Sequence, residues 1–287
     1  SVALFLACPP FGDGGQPALA PIQKREGLVV SSWVQLPPMG RPRRAHTATL
    51  LADGRVLVVG GEDASGAATL ETEIYDWLSN AWAPAAPLDI PRAWHAAQLL
   101  RSGKALIAGG TRGGVNSPAL SGTSVYEAEL DRWVPAGPLQ TAGRDFTGAL
   151  LGDGSFFVTM SGVVPQLYSE GPGVWSKVAS PPRGLRSHAN RLPNGSAFVQ
   201  GSGSPIWESY SWQSRTWSST APARFARTND AVVVLADGQV LVAGGTQAGV
   251  HVQEAELYHP TSNRWSSGGA LSEVRADHTA TLLPDGR

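Results

Sequence analysis

HTATLLADGRVLVVGGEDASGAATLETEIYDWLSNAW, residues 46–82, carries two apolar stretches on either side of Asp53-Gly54, then a Gly60-Gly61 pair, Tyr75 and, seven residues on, Trp82. Asp-Gly between apolar runs is a strong hairpin signal, because both turn positions need positive φ. The stretch therefore reads as four short strands: one before Asp53, one ending at the Gly pair, one bearing Tyr75 and one bearing Trp82. The same seven-residue step recurs at Tyr126/Trp133, Tyr168/Trp175, Tyr210/Trp217 and Tyr258/Trp265, so the five pairs use every Tyr in the chain. Spacing held that strictly is the mark of a repeated structural unit.

The hairpin dipeptides repeat with the pairs. Ser102-Gly103, Asp153-Gly154, Asn194-Gly195, Asp237-Gly238 and Asp285-Gly286 follow Asp53-Gly54 at steps of 41 to 51 residues. Gly109-Gly110 and Gly244-Gly245 repeat the Gly pair, while Ser161-Gly162 and Gly201-Ser202 replace it, which marks those two units as the least regular. A four-stranded sheet this small cannot bury its own faces, so each unit must stack on the next. Tyr and Trp on adjacent strands supply a large apolar area to that seam. Five complete units are expected at 46–88, 95–139, 146–181, 188–222 and 230–271.

Gly-Gly, then Tyr, then Trp, with an Arg-x-x-His lead-in and an Asp-Gly hairpin, resembles the kelch family of β-propellers, in the bacterial variety whose pattern is similar to the propeller of galactose oxidase. The resemblance covers about residues 28–287, with 1–27 left as a signal-peptide remnant and flexible linker. It implies an all-β propeller of four-stranded antiparallel blades, six in number, or seven if a further unit follows. Ser31–Pro38 matches a fourth strand with Trp33 in the Trp place, and His278–Leu283 matches a first strand, so the two would share a composite closing unit. The sequence stops at Asp285-Gly286-Arg287, just after a hairpin turn, and so reads as truncated.

Composition agrees. At 42% hydrophobic the chain has ample core material, and its 34 glycines and 22 prolines suit many short strands joined by tight turns. A net charge of −1 gives no electrostatic case for nucleic acid. Residues 2–7 form an apolar run ending at Ala7-Cys8, which resembles the end of a bacterial lipoprotein signal peptide; Cys8 is then the lipid-attachment residue and the protein lies in the periplasm or on the cell surface. The competing reading makes that run a strand that helps close the propeller. No stretch reads as a transmembrane helix.

In propellers the loops leading into strand one and those joining strands two and three share a face, where ligands usually bind. Arg43, Arg92, Arg144, Arg186, Arg227 and Arg275 occupy the lead-ins here, and could form an anion-binding ring or bond backbone carbonyls. His46, His95, His188 and His278 follow them, with Phe146 and Asp230 in the same place elsewhere; on separate blades they read as packing, not as one metal shell. The longest loops are Glu62–Ala68, Thr111–Gly122 and Thr246–Val252, which tilts the expected surface toward units one and two and toward Arg43, Arg92, Trp94, Arg112, Glu62, Asp63 and Arg275. Trp77 and Trp212 read as turn packing on the opposite face.

Kelch propellers host enzymes and binders alike. The galactose-oxidase-like family uses a Tyr-His pair before an Asp-Gly-Arg hairpin and a second Tyr cross-linked to Cys; here Asp277-His278 stands in the first place and Cys8 lies outside the blades, so no copper or other cofactor is expected. A sialate-epimerase-like reading would need an Arg for the sugar carboxylate and Glu62 or Asp63 as proton acceptor, with no motif linking them. The expectation is a non-catalytic, exported propeller that binds a protein or glycan. The rival is a sugar-active enzyme.

Overall fold

In the computed structural model, residues 35–114, 116–201, 204–283 and Gly286 are described, with the side chains of 185–187 left out. Cys8, Trp33 and the rest of residues 1–34 lie outside the described residues. The described chain is all-β, with no helix, and forms five consecutive four-stranded antiparallel sheets.

The first sheet comprises β1 (Thr47–Leu50), β2 (Val56–Val59), β3 (Thr72–Asp76) and β4 (Ala81–Ala85), and the second β5 (Ala96–Leu99), β6 (Ala105–Ala108), β7 (Thr123–Glu127) and β8 (Arg132–Ala136). Next come β9 (Thr147–Leu150), β10 (Phe156–Met160), β11 (Val163–Ser169) and β12 (Val174–Lys177), then β13 (Leu185–Arg191), β14 (Ala197–Gly201), β15 (Trp207–Tyr210) and β16 (Trp217–Ser219). The fifth sheet contains β17 (Ala231–Val234), β18 (Val240–Ala243), β21 (Glu254–His259) and β22 (Arg264–Ala270); its long loop adds a two-stranded ribbon, β19 (Thr246–Gln247) with β20 (Val250–His251). Within each sheet the strands lie in chain order. The first strands β1, β5, β9, β13 and β17 adjoin in succession, so they form the inner edge and the fourth strands the outer edge. That arrangement is consistent with propeller blades.

Register explains the seven-residue spacing. Tyr75 pairs directly with Trp82, and the same partners meet at Tyr126/Trp133, Tyr168/Trp175, Tyr210/Trp217 and Tyr258/Trp265. Their ring centroids lie 5.0 to 5.2 Å apart. Inside the turn between them an Asx residue adopts positive φ (Asn80 52°, Asp131 43°, Asn263 50°). Its side chain accepts the Tyr hydroxyl at 2.6, 2.6 and 3.1 Å respectively. Asn and Asp tolerate that conformation better than other side chains, which explains their place in the turn.

Each pair then grips the preceding unit. The indoles of Trp133, Trp217 and Trp265 donate to the carbonyls of Ala86, Ala179 and Ala221, each four residues past the Trp of the unit before. Asp131 and Asn263 accept the amides of Ala86 and Ala221, both at 2.8 Å, so one residue is held by both its backbone groups. Trp175 departs from the rule and donates to Thr123 Oγ1, which itself bonds the Gly137 carbonyl. Trp82 donates to Pro37 at 2.9 Å.

The core lies in the seams between sheets. Leu57, Val59 and Ile74 of the first sheet pack on Ala105, Ile107 and Tyr126 of the second. Leu106 and Ala108 meet Phe156, Tyr168 and Trp175; Phe157 and Leu167 meet Val199 and Tyr210; and Phe198 and Trp207 meet Val242 and Tyr258. Strand two is buried on both faces, and its alternate residues serve opposite seams.

The Gly pairs sit where units cross. A Cβ on Gly60 would lie 2.3 Å from the Arg92 carbonyl of the next unit, and one on Gly61 would lie 2.8 Å from the Arg44 carbonyl of its own lead-in. Both glycines have positive φ (58° and 103°), so two independent constraints exclude a side chain there. His278–Leu283 forms no strand, yet its lead-in docks as the others do, with the Gly245 amide on the Arg275 carbonyl at 2.9 Å and the Asp277 amide on the Asn229 carbonyl at 2.9 Å. On the far side, Trp212 bonds the Asn194 carbonyl and its indole lies over Gly152, whereas Trp77 is 48% exposed beside Gly54.

Candidate functional site

The lead-in arginines turn inward. Arg43 Nη1 donates to the carbonyls of Gly60 and Glu71, Arg92 Nη1 to those of Gly109 and Gly122, and Arg227 Nη1 to those of Gly244 and Glu254. Each guanidinium thus ties the end of strand two to the start of strand three within its own unit. All three residues are buried. The structure therefore places Arg43 and Arg92 in the framework beneath the loop face, with Nη1 of each committed to two backbone carbonyls.

The expected ring of six is also out of phase. Counting back from His46, His95, Phe146 and His188, Arg43 and Arg92 stand three residues earlier, but Arg144 and Arg186 only two. Gly143 and Leu185 occupy the framework position instead, and the Gly110 amide bonds the Gly143 carbonyl just as the Gly61 amide bonds Arg92. Arg144 lies 3.7 Å from Asp145, and Arg275, in phase but exposed, lies 3.9 Å from Glu273.

Sequence reading overlooked the partners of these arginines. Glu73, Ser124, Gln166, Glu208 and Glu256 all stand two residues before the unit's Tyr. Glu73 pairs with Arg43 and accepts the Gly40 amide; Glu256 pairs with Arg227 and accepts the Arg224 amide at 2.7 Å. Gln166 takes the Gln140 amide in the unit that lacks the Arg. Arg92 faces Ser124's unit without a carboxylate partner, and its burial lowers its pKa to about 10, against a small rise from Asp89. The signal was available as a polar residue at one fixed phase of a buried strand.

The histidines fill seams. His95 is 5% exposed, with Nε2 2.8 Å from Thr47 Oγ1 of the preceding unit, and its ring sits over Gly60; Phe146 and His278 sit in the same way over Gly109 and Gly244. Among the described residues no three His, Cys, Asp or Glu side chains converge as a metal shell. Burial, assisted by the charges of Arg92 and His46, lowers the His95 pKa to about 3. The unfolded chain, titrating near 6.5, binds this proton first, so stability is full above that pH and falls as pH drops below it. The loss should be about 2 kcal/mol at pH 5 relative to pH 8. Urea melts at the two pH values check this. His95→Phe, which copies Phe146, should remove the His95 part of the dependence and leave that of His46 and His278, whose pKa values burial also lowers.

Two of the predicted residues do come together on the loop face. Glu62, 2% exposed, accepts the Trp94 indole and the Gly114 amide on Oε1, both at 2.9 Å, and the Arg44 guanidinium Nε on Oε2 at 3.2 Å. Burial raises its pKa, but the donors from Trp94, Gly114 and Arg44 outweigh that and leave it lowered. A carboxylate so held is a positioning group and a poor proton acceptor. Arg44, missed in the sequence, is 73% exposed at its side chain. Asp63 is exposed and accepts the Ser65 hydroxyl at 2.5 Å and the amides of Ser65 and Ala67 at 2.8 and 3.2 Å, which lower its pKa in that order and shape its own loop.

The loops of units one and two are joined as well. Ala67 and Gly113 form a β-bridge, and the Ala68 amide donates to the Arg112 carbonyl at 3.3 Å. Arg112 is exposed beside this bridge. In the third unit, by contrast, only Ser161 and Gly162 separate β10 from β11.

Around the inner rim, the residues before His46, His95, Phe146, Asp230 and His278 have positive φ: Ala45, Trp94, Asp145, Asn229 and Asp277, between 54° and 59°. Their backbones link across units, Trp94 donating to Ala45 and Asp145 donating to Trp94 at 2.9 and 2.8 Å. Asn and Asp tolerate such a position; Ala45 and Trp94 occupy it at a cost of about 1–3 kcal/mol each.

No protein-family model matches the chain, and a search of curated proteins finds no match.

Proposed function

We propose that this protein is a non-catalytic kelch-type propeller, of the galactose-oxidase-like pattern, whose loop face over units one and two binds a protein or glycan. The observation that carries the reading is the fusion of those two loops through Ala67, Gly113 and the buried Glu62 carboxylate. A rigid platform bonded across a seam goes beyond what stacking the sheets requires, and recognition is disproportionately carried by loops so positioned. Six blades is the count we favour. Pro37, the acceptor for Trp82, stands four residues past Trp33, the offset seen at Ala86, Ala179 and Ala221, which supports reading Trp33 as the Trp of an adjoining unit. Export and lipid attachment at Cys8 rest on sequence alone.

The test is to replace 111–122 by the two-residue turn of the third unit and to compare parent and variant on a glycan array and in a partner display screen. Ligands of the parent should be lost by the variant. Ligands retained by a folded variant would place the binding surface elsewhere.

A further inference from the structure

We infer that Trp94, Arg44 and Arg112 form a subsite for a carboxylated pyranose, a uronic-acid sugar, and this inference rests on the loop-face reading above. Trp94 occupies a left-handed position that is filled elsewhere along the rim by Ala45, Asp145, Asn229 and Asp277. A bulky side chain there is strained, and such strain tends to mark functional sites. Packing does not explain the choice: Trp94 is half-buried and makes no ring–ring or cation–ring contact among the described residues.

What the ring does make is one bond, by its edge. The Glu62 carboxylate holds Trp94 through Nε1 and Arg44 through Nε, so a single buried bracket sets an aromatic ring and a guanidinium side by side. The bracket leaves the ring faces and the terminal guanidinium nitrogens of Arg44 uncommitted. Glu62 itself is saturated by the Gly114 amide and by these two donors. Arg112, on the same loop as Gly114, adds a second exposed guanidinium with no side-chain hydrogen bond among the described residues.

Glu62 offsets part of the Arg44 charge through their 3.2 Å ion pair, while Arg112 has no carboxylate partner among the described residues. Asp63 is turned onto amides of its own loop, and Asp145, next along the rim, lies by Arg144 at 3.7 Å. The groups offered to a ligand are thus an aromatic face and two paired-donor cations. An aromatic face suits the C–H face of a pyranose, and a guanidinium takes a carboxylate through two parallel N–H bonds. Both features together specify a sugar that carries a carboxylate.

Calorimetry on the full chain with a trigalacturonate, the neutral galactotriose and a short acidic peptide tests this. The acidic sugar should bind about tenfold or more tighter than the neutral one, with the preference shrinking at high salt. Trp94→Asn copies Asn229 at a position where Asn is favoured, so it should abolish binding while the melting temperature holds. Arg44→Ala should weaken binding about tenfold, and Trp77→Ala, on the opposite face, should leave it unchanged. Equal binding of both sugars, still lost in Trp94→Asn, would overturn the carboxylate preference and leave the loop face standing. Binding of the peptide alone would overturn the sugar class. Undiminished binding in Trp94→Asn, a large fall in its melting temperature, or no binding of any probe would overturn the subsite; the loop face would then stand or fall on the 111–122 replacement.

Discussion

Arg227→Met should lower the stability of the folded state by about 3–5 kcal/mol, the range for breaking a buried ion pair from one side. Side-chain exposure is 1% for Arg227 and 7% for Glu256, so no water replaces the lost donors. Three acceptors lose this donor: the Gly244 carbonyl, the Glu254 carbonyl and the Glu256 carboxylate, which keeps the Arg224 amide but no cation. The double variant Arg227→Met/Glu256→Gln should be less destabilised than the single one, because it removes the unpaired charge and approaches the third unit, where Gly143 stands opposite Gln166. Arg275→Met, at an exposed side chain, should stay within about 0.5 kcal/mol. Denaturant melts of the three variants check the set. A double variant as unstable as the single would show that the cost lies in the carbonyls alone.

Trp207→Ala should cost about 3–5 kcal/mol, the range for truncating a large buried aromatic. Trp207 is 2% exposed and stacks on Phe198 with centroids 4.7 Å apart, within the cluster that joins the fourth and fifth sheets through Val242 and Tyr258. Trp212→Ala removes a half-buried turn residue with one bond, to the Asn194 carbonyl, and should cost about 1 kcal/mol. Equal midpoints in urea would mean that the seam does not carry the stability assigned to it.

The strand pattern and its unit boundaries were legible because they follow from short-range chemistry. A hairpin needs Asp-Gly or its equivalent, a crossing needs Gly, and a Tyr–Trp pair around one turn needs a fixed offset. The arginines were harder. Arg144 stands two residues before Phe146 where Arg43 stands three before His46, an offset readable in the string. The bonding of the Arg92 and Gly143 carbonyls to the Gly pairs shows that this offset decides which residues share a position. Their acceptors are mostly backbone carbonyls, which every residue has and no sequence pattern announces. Glu62 and Trp94 were picked out for their loop, but their meeting depends on two lead-ins and a loop converging, as does the role of Arg44. Trp94 itself was visible, while its backbone conformation was not.

The grip of one unit on the residue four past the preceding Trp uses the same bonds at seam after seam. Seam bonds written in one formula are interchangeable. Whole-unit duplication or deletion at such a seam would keep a standard donor against a standard acceptor and leave the apolar packing, which differs from seam to seam, as the part to be refitted. The seam at Trp175, which routes its indole through Thr123, is the exception, and there an inserted unit would meet a partner it was not shaped for.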